Sequence, residues 1–177
     1  GCEVWDLDGN KFIDTSIMGI GTNLLGYGNK EVDQAVTNVV SKGNMSTFNC
    51  PEEVYLAENL IELNPWADMV RLARTGGEAN AIAIRIARAA SKKDNVAICG
   101  YHGWHDWYLA ANINSKDGLN SHLLSGLEAQ GVPRGLEGTI FPFHYNDFLG
   151  LENIVDENNI GVIKMEVVRN QGPENNF

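Results

Sequence analysis

Arg71-Leu-Ala-Arg-Thr-Gly-Gly-Glu-Ala-Asn-Ala-Ile-Ala-Ile-Arg-Ile-Ala-Arg-Ala-Ala90 decides how the rest of the chain is read. It reads as strand, tight turn, helix. Met69 to Ala73 is a short apolar run interrupted by Arg71, and Thr75-Gly76-Gly77 breaks the pattern. From Glu78 onward alanines and isoleucines repeat at helical spacing. Two glycines at the mouth of a helix let backbone approach a ligand closely. The first N–H groups of a helix have no internal partner and stand at the positive end of its dipole. An anion, phosphate above all, is the natural guest of such a turn. The bland alternative is a plain turn before a small-residue helix packed on a sheet, which is common.

Working outward from this stretch, the elements alternate. Val96 to Cys99 is a short apolar strand ending in Gly100-Tyr101-His102-Gly103. Asp106 to Ala111 is helical in pattern. Asn112 to Gly135 has little periodicity and is expected to be a long surface excursion. Thr139 to Phe143 reads as a strand, Asp147 to Asp156 as a helix, and Ile160 to Val168 as a strand. Strands alternating with helices imply a mostly parallel sheet covered on both faces. Ligands of such sheets gather at the carboxyl ends of the strands. Those ends offer backbone donors at Thr75-Gly76-Gly77, an aromatic ring beside a histidine at Tyr101-His102, and a carboxylate and an amide between Glu166 and Asn170. Together they suit a phosphorylated planar cofactor.

Toward the N-terminus, Val4 to Asp14 predicts a hairpin around Asp8-Gly9-Asn10. Ser16 to Gly28 is glycine-rich and almost uncharged, so it runs close to a ligand, a partner subunit or its own core. Lys30 to Lys42 and Pro51 to Leu63 are predicted amphipathic helices, the first stopped by Gly43 and the second started by Pro51. The division expected is 1–65 for hairpin, glycine-rich segment and helices, and 66–177 for the sheet-bearing part.

Composition narrows the function classes. The chain has 177 residues, 44% of them hydrophobic, and carries a net charge of −10. That length suffices for a real core. The acidic balance argues against nucleic acid, whose phosphates want a basic face. No apolar run approaches a membrane span, and no secretory leader pattern opens the sequence. Cys2, Cys50 and Cys99 are unpaired in pattern and fit reduced thiols of the cytoplasm. His102 and His105 have His-x-x-His spacing, but Trp104 intervenes and no ligand set is arranged with them, so no metal site is expected.

In order along the chain stand VWDLDGNKFID (4–14), LLGYGNKEV (24–32), RTGGEANAIAIRIARAA (74–90), GYHGWHD (100–106), GVPRG (131–135), HYND (144–147) and MEVVRNQGPE (165–174). This series resembles the class III aminotransferases, nearest to the glutamate-1-semialdehyde aminomutase branch. The resemblance covers nearly the whole chain. It implies the aspartate-aminotransferase-like α/β large domain (fold type I), here incomplete, and pyridoxal 5′-phosphate as cofactor. It implies movement of an amino group through a Schiff base on small amine, keto or amino-aldehyde substrates. It also implies a homodimer with no nucleic-acid or membrane partner. By resemblance, Thr75, Gly76 and Gly77 match the loop that holds the cofactor phosphate, with Gly77 in place of a hydroxyl residue. Tyr101 matches the aromatic that stacks on the pyridine ring, followed by His102. Glu166 matches the acid of a Glu-Pro-Val motif, with Val167 replacing the proline. Asn170 falls near an amide that approaches the phenolic oxygen. The Schiff-base lysine and the aspartate that pairs with the pyridine nitrogen are expected beyond Phe177, so no residue here is assigned a catalytic role. Lys164 is read as a strand lysine, not a substitute for the missing one. Two alternatives stand beside the enzyme reading: a catalytically inactive cofactor-domain fragment, and another phosphate-binding α/β enzyme. A Rossmann fingerprint is absent.

Overall fold

The computed structural model describes residues 1–43, 47–115, 117–122, 126–168, 172 and 174. The chain divides into two compact units, Gly1–Val70 and Arg71–Phe177.

In the first unit, β1 (Glu3–Trp5) and β2 (Lys11–Ile13) pair antiparallel, with Val4 opposite Phe12. The Asp6 carboxylate closes the turn by accepting from the Asp8 and Asn10 amides and the Asn10 side chain. Glu3 and Lys11 form an ion pair across the strands. The helices run where capping chemistry directs. For α1 (Lys30–Lys42), Asn29 accepts from the Glu31 and Val32 amides, and Gly43 ends the helix at φ 101°. For α2 (Pro51–Leu63), proline stands at the start and Glu52 and Glu53 face the positive end of the dipole. Between β2 and α1 the glycine-rich segment is a succession of turns, tied by the Tyr27 hydroxyl donating to Asp14 at 2.6 Å.

In the second unit a three-stranded parallel sheet has β3 (Asn95–Cys99) at its centre. It lies between β4 (Ile140–Pro142) and β5 (Ile160–Met165). Val96 pairs with Ile140 and Val162, and Ile98 with Pro142 and Lys164. Both faces of β3 are buried, which is why its sequence is continuously apolar rather than alternating. Val96 and Ile98 face one cluster with Ile84 of α3 (Gly76–Ser91), Trp107 and Tyr108 of α4 (Asp106–Leu109), and Ile140. Ala97 and Cys99 face the other, with Phe143 and with Leu151 and Ile154 of α5 (Phe148–Glu157).

Two expectations are corrected. Residues 69–73 form no strand, because no partner strand lies beside them among the described residues. The 112–135 segment is more than a surface excursion. Leu119 and His122 are 0% and 2% exposed, and Asn112 and Val132 are buried too, so this irregular stretch covers one edge of the core. Asn112 contributes to that: its side chain accepts from the buried Leu119 amide and donates to the partly buried Leu127 carbonyl, backbone groups that no regular element pairs.

Candidate functional site

The site is built on three turns of the second unit. The first is the start of α3. Thr75 caps the helix by accepting from the Glu78 amide at 3.1 Å, and the Glu78 carboxylate reaches back to the Arg74 amide at 2.9 Å. This reciprocal cap engages the Glu78 carboxylate with the Arg74 amide. Among the described residues, the amides of Gly76 and Gly77 have no hydrogen-bond partner. Two open donors, the helix dipole and the remaining proton of the Thr75 hydroxyl make a place for an anion.

The second turn follows β3. Gly100 and Gly103 take φ of 98° and 100°, values that favour glycine. The turn is locked to α3 at two points. The Asn80 side chain donates to the His102 carbonyl at 3.1 Å, and Gly103 approaches Gly77 so closely that a Cβ on it would stand 3.0 Å from the Gly77 Cα. His105 lies over Gly77: a Cβ there would be 2.8 Å from its ring, so glycine is the residue that fits. Beside it, a hollow of about 380 Å³ is lined by Ala81, Trp104, His105, Asp106 and Trp107.

Tyr101 is half-buried, its ring edge-on to Tyr108 at a centroid distance of 6.1 Å and 86°. His102 is turned inward, with Nε2 2.9 Å from the Cys99 carbonyl and its ring stacked on Trp107. Burial, with the charge of Lys164 as a smaller cause, pushes the His102 pKa down to about 4, so the ring is neutral near pH 7. His102 and His105 thus face different surroundings rather than a common ligand position.

The third turn follows β5. The Glu166 amide donates to the Cys99 carbonyl at 3.1 Å, and its carboxylate lies over Gly100. A Cβ on Gly100 would be 2.5 Å from Glu166 Oε2. Lys164, two residues earlier, is partly buried; burial lowers its pKa, and the Glu166 charge works against that shift. Thr75, Gly76, Gly77, Tyr101, His102 and Glu166 therefore stand at neighbouring strand and helix ends, linked through Gly77, Gly100 and Gly103. Asn170 lies outside the described residues.

Sequence reasoning missed His122. It is buried, and its Nδ1 accepts from the Gly100 amide at 3.1 Å. No local pattern marks it, because its partner lies across the core. In sequence His105 stands out only through its His-x-x-His spacing; its adjacency to Gly77 has no signature there.

The sequence and the fold match known proteins. The family model for class III aminotransferases covers residues 1–130. A 3-aminobutyryl-CoA aminotransferase of Cloacimonas acidaminovorans is 36% identical over 160 residues, 89% of this chain and 34% of that protein. A glutamate-1-semialdehyde 2,1-aminomutase of Methanothrix thermoacetophila is 34% identical over 176 residues, 98% of this chain and 40% of the relative. The chain thus spans little more than a third of the length of these relatives. Among solved structures, a transaminase with PLP bound superposes with a TM-score of 0.78 at 27% identity, over 95% of this chain and 39% of that one. An omega-transaminase from Sphaerobacter thermophilus has a TM-score of 0.77 at 22% identity, over 94% and 39%, and shares the fold. With the model matching most of its sequence and the transaminase fold on its sheet, the chain belongs to the class III aminotransferases.

Proposed function

We propose that the protein to which this chain contributes binds pyridoxal 5′-phosphate and moves an amino group, as an aminotransferase or aminomutase. The observation that carries the reading is the pair of open amides at Gly76 and Gly77, held beside Tyr101 and Glu166 by the Gly77–Gly103 and Gly100–Glu166 contacts. These residues fit the cofactor's parts. The α3 start and Thr75 supply donors for a phosphate. Tyr101 supplies an aromatic face, and Glu166 a carboxylate beside the ring. His102 acts in support, through the carbonyl that Asn80 holds and a neutral ring that adds no charge. Bound there, the cofactor would supply an electron sink for the substrate's Cα carbanion. The chain's own residues would bind and orient it; none of them is assigned the proton transfers.

Lys164 lies within β5, paired in register with Ile98, as a strand lysine. A homodimer is supported by the glycine-rich segment, where Ile17, Ile20, Leu24 and Leu25 are 70%, 86%, 90% and 72% exposed. Such apolar surface calls for cover. A cytoplasmic location is supported by Cys2, Cys50 and Cys99, which form no disulfide among the described residues. Among the described residues, no helix is long and apolar enough to cross a membrane.

The test is to load the whole protein with pyridoxal phosphate and follow product formation from glutamate with a panel of keto acids, and from glutamate-1-semialdehyde. Cofactor-dependent appearance of a transferred or migrated amino group is expected. A protein that retains the cofactor stoichiometrically and forms no such product on any of these would contradict the reading.

A further inference from the structure

We propose that His122 is a positioning residue for the cofactor site. Its Nδ1 holds the Gly100 amide and so fixes the corner from which Tyr101 projects and over which Glu166 packs. The inference rests on the functional reading above. His122 comes from the irregular segment between α4 and β4, yet it is 2% exposed. Its Nδ1 accepts the Gly100 N–H at 3.1 Å. On the other side of the same residue, the buried Tyr108 hydroxyl donates to the Gly100 carbonyl at 2.9 Å. Gly100 is therefore gripped at both its N–H and its carbonyl by two side chains from different elements.

That grip has a consequence for geometry. β3 ends at Cys99, and the chain turns at φ 98° at Gly100, which places Tyr101 edge-on to Tyr108 and leaves room for the Glu166 carboxylate. A glycine in that conformation is free to swing, since no Cβ restricts it. Two buried hydrogen bonds remove the freedom. The N–H also needs its acceptor for its own sake, because a buried amide without a partner carries the full cost of desolvation. Volume alone would be filled as well by leucine. The polar atom at Nδ1 is what the position requires: it stands 3.1 Å from the Gly100 N–H that it accepts and 3.4 Å from the Gly100 carbonyl, so both of these contacts are to the one glycine. Residues that orient a ligand-contacting residue in this way tune binding without touching the ligand.

The experiment separates the acceptor from the volume. In the whole protein, His122→Leu keeps bulk and removes the acceptor. His122→Asn loses bulk but places Oδ1 near the position of Nδ1. Three quantities are read: pyridoxal phosphate affinity by equilibrium dialysis, hydrogen exchange at the Gly100 amide in the cofactor-free protein, and the denaturation midpoint. Cofactor affinity is expected to fall about tenfold or more in His122→Leu and to return to within about threefold of wild type in His122→Asn. Gly100 exchange should accelerate in His122→Leu and slow again in His122→Asn. The midpoint should fall in both, since one loses a hydrogen bond and the other leaves a cavity. Equal loss of affinity in the two variants, or Gly100 exchange that is the same in all three proteins, would overturn the proposal. A wild-type protein that retains no pyridoxal phosphate would instead overturn the functional reading, and the exchange pattern would still decide whether His122 holds Gly100.

Discussion

Replacing Gly100 by alanine tests the close approach on which the site is built. Its φ of 98° is a region that L-residues occupy at a cost of about 1–3 kcal/mol. A methyl there would lie 2.5 Å from Glu166 Oε2 and 2.6 Å from its Cδ and Cγ, so the carboxylate must move as well. Alanine also restricts the unfolded chain, which offsets about 0.4–1 kcal/mol. The net expectation is a loss of about 1–2 kcal/mol, a fall of roughly 5- to 30-fold in the ratio of folded to unfolded protein. The two causes separate in a double-mutant cycle with Glu166→Ala, which deletes the three atoms the methyl meets. In that background only backbone strain remains, and the cost of Gly100→Ala should shrink by about 0.5 kcal/mol or more. Denaturant midpoints of the four proteins, at unchanged slope, give the cycle. A cost within about 0.5 kcal/mol of zero, or the same cost in both backgrounds, would refute the reasoning.

Tyr101→Ala should weaken pyridoxal phosphate binding by about 1 kcal/mol or more, while Tyr101→Phe holds it; unchanged affinity of the alanine variant in dialysis would put the cofactor ring elsewhere. Thr75→Ala should lower stability by about 1 kcal/mol through loss of the cap to the Glu78 amide, with Thr75→Ser close to wild type in thermal unfolding. His102 has its folded pKa lowered to about 4 from 6.5, so between these values the unfolded state binds the extra proton. Its contribution is fully present above about pH 6.5 and is lost as pH falls toward 4, by up to about 1.4 kcal/mol per pH unit. The stability difference between wild type and His102→Gln should therefore narrow with falling pH across that window. A difference independent of pH would show that the ring is not buried neutral.

Much of this architecture was legible because its determinants are local. Lys30–Lys42 and Pro51–Leu63 begin and end as read, since Asn29, Gly43 and Pro51 act within a turn of their own positions. The helix read from Glu78 and the central strand were also plain, alanine-rich periodicity marking one and a short apolar run the other, although the helix starts two residues earlier and takes in Gly76 and Gly77. The run at 69–73 failed as a strand because a strand needs a neighbour, and no property of those five residues supplies one. Asn112 to Gly135 failed in the opposite sense. Its buried residues Leu119, His122 and Val132 follow neither period; side-chain hydrogen bonds hold the Leu119 amide to Asn112 and His122 to Gly100, and Val132 packs in the core cluster. The candidate site was legible as residues and illegible as geometry. Glycines at 77, 100 and 103 announce turns. That the missing Cβ atoms make room for His105, Glu166 and Gly77 is set by pairings between distant parts of the chain.

The central claim is that the start of α3 and the turns after β3 and β5 together hold pyridoxal phosphate. A crystal structure of the whole protein grown with the cofactor tests it most directly. The claim predicts the phosphate within hydrogen-bond reach of the Gly76 and Gly77 amides and the Thr75 hydroxyl, with the pyridine ring against Tyr101. A phosphate bound away from the α3 start, with those two amides facing solvent, would contradict it.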